Sequence, residues 1–222
     1  MNDDDDFASQ RAALVSTCRH LAARGLSPGS SGNVSVRVGG ILLMTPTGSA
    51  LSRLTADDLS VISLHDDGWR PLHISGPRPS KELPLHLAVY ASRTDAQAVV
   101  HLHSPYATAL SCLPPDRHGY AALPPLTPYR VMRLGDVPVA AYQAPGSENL
   151  ATGVGELVRE HNTMLLANHG PVVVGRELAS AADLAEELET AAQLTFLLRG
   201  TPFVQLPDGE VTSLRSRASR PA

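Results

Sequence analysis

The chain has 222 residues, of which 43% are hydrophobic and 18% charged, with a formal net charge of −4. That length suits one α/β domain with a sizeable core, and the balance of charge gives no sign of a nucleic-acid partner. No apolar run is long enough to span a bilayer, the acidic start Met1-Asn2-Asp3-Asp4-Asp5-Asp6 is not a signal peptide, and a cytoplasmic location follows by default. Cys18 and Cys112 are the only cysteines, and they form neither a disulfide framework nor a CxxC metal site.

In chain order, Ser9 to Arg24 has helical spacing, with Leu14, Cys18, Leu21 and Ala22 on one face and Gly25 as a stop. A turn-rich loop, Ser27 to Asn33, leads into a hairpin of Val34–Val38 and Ile41–Thr45. Thr55 caps a short helical turn. Ser60–Leu64 and Trp69–Leu72 flank the turn His65-Asp66-Asp67-Gly68 as a second hairpin. Ser80 caps a helix running to about Arg93, with Pro84 in its first turn. A strand at 98–102 and a helix from Pro105 to Cys112 follow. Leu113 to Arg130 is proline-rich and reads as a long irregular connection. Val137–Tyr142 is a strand, Glu148–Glu160 a helix, and Met164–Gly170 a strand with Pro171–Gly175 as its hairpin partner. Leu178–Leu198 is the longest helix. Phe203–Leu206 is strand-like, and the termini, 1–8 and 213–222, read as disordered tails. The order of elements predicts one α/β domain over 1–222, three-layered around a central, mostly antiparallel sheet.

His101-Leu102-His103 closes the apolar run that starts at Ala98. Side chains alternate along a strand, so two histidines at i and i+2 share a face and can chelate a metal. His169 closes a second apolar run. Three strand-end histidines suit a catalytic zinc site with one open position, although each could instead be a satisfied core residue. Gly32-Asn33 and Thr47-Gly48 lie in loops beside strands, where backbone N–H groups can hold phosphate oxygens. Ser80-Lys81 sits at a helix start, which attracts anions. Glu82 follows, either a helix-dipole carboxylate or a general acid/base beside the metal. Lys81 is the only lysine among 18 basic residues, and an ammonium is not interchangeable with a guanidinium where geometry matters. His86, one helical turn after Glu82, shares its face; a structural role is the simpler reading for it, for His73, and for Tyr129 in the proline-rich loop.

Gly32-Asn33-Val34-Ser35, Thr45-Pro46-Thr47-Gly48, Pro79-Ser80-Lys81-Glu82, His101-Leu102-His103-Ser104 and Asn168-His169-Gly170 occur in the order of the class II aldolase/adducin-like family. The resemblance covers residues 10 to 200. It implies a three-layer α/β/α fold, one zinc ion per subunit and a four-fold symmetric homotetramer. By motif, His101, His103 and His169 resemble the zinc ligands. Glu82 resembles the catalytic acid/base, able to approach the metal without substrate. Gly32, Asn33, Thr47, Gly48 and Ser80 resemble the phosphate cradle. The sequence has Ser80-Lys81-Glu82 where fuculose-phosphate aldolase has Ser-Ser-Glu. Ser80 to Ala88, Pro124 to Tyr129 and Val131 to Gly135 instead resemble a 3-oxo-tetronate 4-phosphate decarboxylase subgroup, with Lys81 in the signature as a contact to the substrate carboxylate or phosphate. The expected chemistry is loss of CO2 through a zinc-stabilised enediolate, giving a dihydroxyacetone-phosphate-like ketose. Aldol cleavage or epimerisation of a sugar phosphate uses the same electron sink and is the alternative. A non-catalytic adducin-like module need not keep the three histidines and Glu82.

Overall fold

The computed structural model describes residues 3–64 and 71–218. The turn expected at His65–Gly68, and Trp69, lie outside them. One eight-stranded sheet organises the chain. Its strands are β1 (Asn33–Val38), β2 (Ile41–Met44), β3 (Ser60–Leu64), β4 (Pro71–Ser75), β5 (Ala98–His101), β6 (Val139–Ala140), β7 (Thr163–Leu166) and β8 (Gly170–Gly175). They lie in the order β4-β3-β2-β1-β5-β8-β7-β6. Every pairing is antiparallel except β6 with β7.

Among the described residues, six α-helices complete the fold: α1 (Asp3–Ala23), α2 (Leu83–Ser92), α3 (Pro105–Ser111), α4 (Glu148–Leu157), α5 (Leu178–Leu197) and α6 (Asp208–Ala218). The two-residue period of the strands sorts the core into two halves. Ala98 and Val100 of β5 pack with Leu14, Leu110 and Leu188 of α1, α3 and α5. Val99, between them, packs with Leu85 and Val89 of α2 and Leu150 and Val154 of α4. Helices thus cover both faces, which gives the expected α/β/α layering around a mostly antiparallel sheet. The central strands are buried on both sides and so read as continuous apolar runs.

Three local expectations are corrected. Phe203–Leu206 forms no strand; it is tied down by Leu206 N–H donating to Pro125 O at 3.0 Å. The described parts of the expected tails are helical: α1 already runs from Asp3, and α6 reaches Ala218. Acidic Asp208 and Glu210 in the first turn of α6 and Arg215 and Arg217 in its last suit the helix dipole, and Arg215 pairs with Asp136 at 2.6 Å. The helix expected from Ser80 starts at Leu83, leaving Glu82 just before it. Ser80 instead closes a turn, its O accepting from Leu83 N–H and its Oγ from Glu82 N–H.

Two glycines bring the chain ends of the central strands together. Gly32 (φ 75°) lies where a Cβ would come within 2.9 Å of His101 O, and Gly170 (φ 155°) where one would come within 2.3 Å of Leu102 O. Both positions require glycine, and both approach the segment that carries His101 and His103.

Candidate functional site

His101 is the last residue of β5, flanked by Asn33 of β1 and Val172 of β8 in the register. The strand ends there, so His103 sits just beyond it. His169 occupies the β7–β8 turn, after Asn168, whose backbone is left-handed (φ 56°). The three rings meet nearly edge to face, with centroids 4.8–5.1 Å apart. Glu82 enters from the start of α2. Its Oε2 is 3.3 Å from His101 Nε2, and its Oε1 is 3.4 Å from His169 Nε2. One ligand atom from each of the four residues lies within 4.8 Å of the others. The helix-dipole reading of Glu82 therefore fails on geometry, because its carboxylate points into the histidine cluster.

The chemistry of this donor set fits a cation. His101 Nδ1 lies 2.8 Å from Pro171 O, which only accepts, so Nδ1 carries the proton and Nε2 is left with its lone pair in the neutral ring. His103 Nε2 stands 3.2 Å from that same atom. Two ring nitrogens this close need a shared proton or a cation between them. Burial first, then the nearby His101 charge, pushes His103 and His169 down to about 4, so both are neutral at pH 7. Burial alone would raise the Glu82 carboxyl. The hydrogen bond and charge of His101, the Asn33 amide and His169 outweigh it and hold Glu82 well below the usual carboxylate range. Glu82 Oε1 is buried with no hydrogen-bond partner. Three imidazoles and one carboxylate oxygen without a hydrogen bond make a group that could bind a metal ion, with ligand types suited to zinc.

A cavity of about 190 Å³ opens over this cluster. Gly32, Asn33, Thr47, Gly48, Ser80 and Lys81 line it, together with Glu82, His103 and His169. Chain segments far apart in sequence thus converge on one cavity. His101 lies beneath, fully buried. Asn33 is the exception in kind: its side chain is committed at both ends, Nδ2 donating to Glu82 Oε2 at 2.8 Å and Oδ1 accepting from His86 Nε2. That amide holds the Glu82 carboxylate rather than reaching for an anion. Sequence reasoning missed Ser30, Ser31 and Pro145, which also line the cavity. Pro145-Gly146 was legible only as a turn signal. Gly146 (φ 79°) lies where a Cβ would come within 2.7 Å of Lys81 O, so this loop seats the Lys81 backbone. Tyr129 and His73 are exposed and do not line the cavity.

Residues 12–196 match the Class II Aldolase and Adducin N-terminal domain. The 3-oxo-tetronate 4-phosphate decarboxylase of Pectobacterium atrosepticum is 47% identical over 205 residues, covering 92% of this chain and 91% of that protein. The L-fuculose phosphate aldolase of Methanococcus maripaludis is 35% identical over 185 residues, covering 83% and 95%. The crystal structure of YgbL from Klebsiella pneumoniae superposes with a TM-score of 0.87 at 44% identity, covering 94% of this chain and 99% of that one. On the match across most of its length, the chain belongs to the Class II Aldolase and Adducin N-terminal domain family.

Proposed function

We propose that this protein is a metal-dependent carbon–carbon lyase that decarboxylates a 3-oxo-tetronate 4-phosphate, with one zinc ion per subunit held by His101, His103 and His169. The observation that carries the reading is the meeting of these three imidazoles with the Glu82 carboxylate, in a chain 47% identical to a protein of that named activity. Loss of CO2 breaks the bond between the carboxylate carbon and the adjacent carbon, and leaves an electron pair next to a ketone. Zinc, when bound, would supply the positive charge that stabilises this pair.

The protein's own residues do the rest. Glu82 would relay the one proton that the reaction consumes, from water in the cavity by way of Oε1 to the carbon that lost CO2, and the hydroxide left behind combines with the released CO2 as bicarbonate. The product is a ketose phosphate resembling dihydroxyacetone phosphate. Gly32, Thr47, Gly48 and Ser80 offer the phosphate end backbone N–H groups and hydroxyls. Lys81 is exposed beside Glu82 on the cavity wall, where its ammonium can meet the carboxylate or the phosphate. A homotetramer in the cytoplasm belongs to the same proposal. Among the described residues, no helix is long and apolar enough to cross a membrane.

The relative named as an aldolase keeps aldol cleavage of a sugar phosphate as the second reading. One experiment separates them. Zinc-loaded protein is assayed for CO2 release from 3-oxo-tetronate 4-phosphates, beside aldehyde release from ketose 1-phosphates. CO2 release at least a hundredfold faster than aldol cleavage supports the decarboxylase; the reverse ratio transfers the assignment to the aldolase.

A further inference from the structure

Behind Glu82, away from the cavity, a chain of hydrogen bonds runs through the layer between the sheet and α2. Alternation puts Asn33 and Ser35 of β1 on the face that meets α2, since Val34 and Val36 belong to the opposite half of the core. Helical spacing puts His86 and Tyr90 in line with Glu82, four residues apart each time. The two rows interleave. Asn33 Nδ2 donates to Glu82 Oε2 at 2.8 Å, His86 Nε2 is 2.5 Å from Asn33 Oδ1, Ser35 Oγ is 2.7 Å from His86 Nδ1, and Tyr90 Oη is 2.9 Å from Ser35 Oγ. All five side chains are buried.

The direction of each bond follows from the anion at one end. A carboxylate only accepts, so the Asn33 amide turns its NH2 to Glu82. Asn33 Oδ1 then faces His86 and only accepts, so His86 carries its proton on Nε2. Burial, with the charge of His101, keeps this ring neutral, its pKa pushed down to about 3. Nδ1 therefore has a lone pair and accepts from the Ser35 hydroxyl. Ser35 Oγ in turn accepts from Tyr90, whose hydroxyl hydrogen also lies within reach of Ser35 O at 3.1 Å. Every donor points toward Glu82. In this buried layer an amide that loses its His86 partner is free to turn its oxygen on the carboxylate.

We propose that His86 is a positioning residue for the reaction: through Asn33 it fixes Glu82 with Oε2 tethered and Oε1 left to handle the proton. The inference rests on Glu82 as the proton-handling group. It assigns His86 a role beyond packing, and places Asn33 in the acid/base machinery.

The first test needs no activity. A long-range 1H–15N correlation spectrum of the metal-free full chain reads the His86 tautomer. The Nε2–H form is expected, and the Nδ1–H form overturns the proposal, because Asn33 would then have to face Glu82 with its oxygen. The second test is kinetic. His86→Leu is expected to lower kcat about tenfold or more with KM and zinc content unchanged. His86→Gln, which keeps an N–H for Asn33, is expected to recover most of that loss. In an Asn33→Ala background, His86→Leu is expected to cost nothing further. Equal losses in the Leu and Gln variants, or an undiminished loss in the Asn33→Ala background, overturn the proposal. Where the Leu variant does not fold, the Gln and Asn33→Ala variants and the tautomer still decide. Absence of CO2 release by the wild type would instead strike the decarboxylase reading, and the tautomer would still report on His86.

Discussion

Asn33 and Glu82 are joined by a buried 2.8 Å hydrogen bond from the amide Nδ2 to the carboxylate Oε2. The bond exists because β1 pairs with β5 in the register that sets Asn33 opposite His101. A residue of the candidate metal cluster and the residue that holds Glu82 are thus cross-strand partners. The other carboxylate oxygen, Oε1, has no hydrogen bond, so the two oxygens of Glu82 differ in role: one is held, one is available.

Glu82→Gln keeps the size of the side chain and removes its proton exchange. Turnover is expected to fall about a hundredfold or more, the range of general acid–base groups, while zinc stays bound by the three imidazoles. Zinc analysis and kcat on one preparation check both halves. Turnover at the wild-type level would reduce Glu82 to a structural carboxylate.

Replacing any of His101, His103 or His169 with Ala removes one of three imidazole ligands and is expected to abolish stoichiometric zinc and nearly all activity. His101→Ala should also loosen the strand end, since its Nδ1–H bond to Pro171 O ties β5 to β8. Full zinc occupancy in one of the variants would strike that histidine from the ligand set.

His86 makes folding stability depend on pH. Its ordinary value is 6.5, and in the fold it is pushed down to about 3 by burial and by the charge of His101, against the opposing pull of Glu82. Between those values the unfolded chain binds a proton that the folded chain refuses, so stability is full above about pH 6.5 and declines as pH falls toward 3. One proton corresponds to a slope of at most about 1.4 kcal/mol per pH unit. Metal-free wild type should therefore lose stability on acidification faster than His86→Gln by about that slope. Urea unfolding at pH 7, 6 and 5, at one protein concentration, measures it. Parallel pH dependences would show that His86 does not titrate between the two states.

What the sequence carried is unequal across the site. The spacing of His101 and His103, and the loops at Gly32, Thr47 and Ser80, are local patterns, and local patterns fix which residue types sit at strand ends and helix starts. The layering was legible too, because a strand buried on both faces is apolar throughout and an amphipathic helix is not. The dual commitment of Asn33 was not legible. It depends on the β1–β5 register and on how α2 lies across β1, both set by packing between segments about fifty residues apart. Pro145-Gly146 behind Lys81 escaped for the same reason. The C-terminal helix escaped because its polar composition resembles a tail; what stabilises it is end charge and the tie of Arg215 to Asp136, a partner 79 residues away.

Lys81 is the residue on which the choice between the two lyase readings turns. It lines the cavity with Glu82, His103 and His169, and its charge contributes to lowering the pKa of both those histidines. A cation there favours an anionic end of the substrate. Lys81→Ser recreates the Ser-Ser-Glu triplet of the aldolase pattern and leaves a short neutral hydroxyl. Loss of one charge-assisted contact to the substrate corresponds to roughly a tenfold to hundredfold fall in kcat/KM for the oxo-acid phosphate. Zinc content should not change, because Lys81 is not among the four residues whose ligand atoms converge. Aldol cleavage of a ketose 1-phosphate, which has no carboxylate to orient, should fall less than decarboxylation if Lys81 meets the carboxylate, and equally if it meets the phosphate. Measuring both reactions on the same zinc-loaded variant therefore locates the contact. Unchanged kcat/KM for decarboxylation, with zinc still bound, would remove Lys81 from substrate recognition and with it the residue-level support for decarboxylation over aldol cleavage.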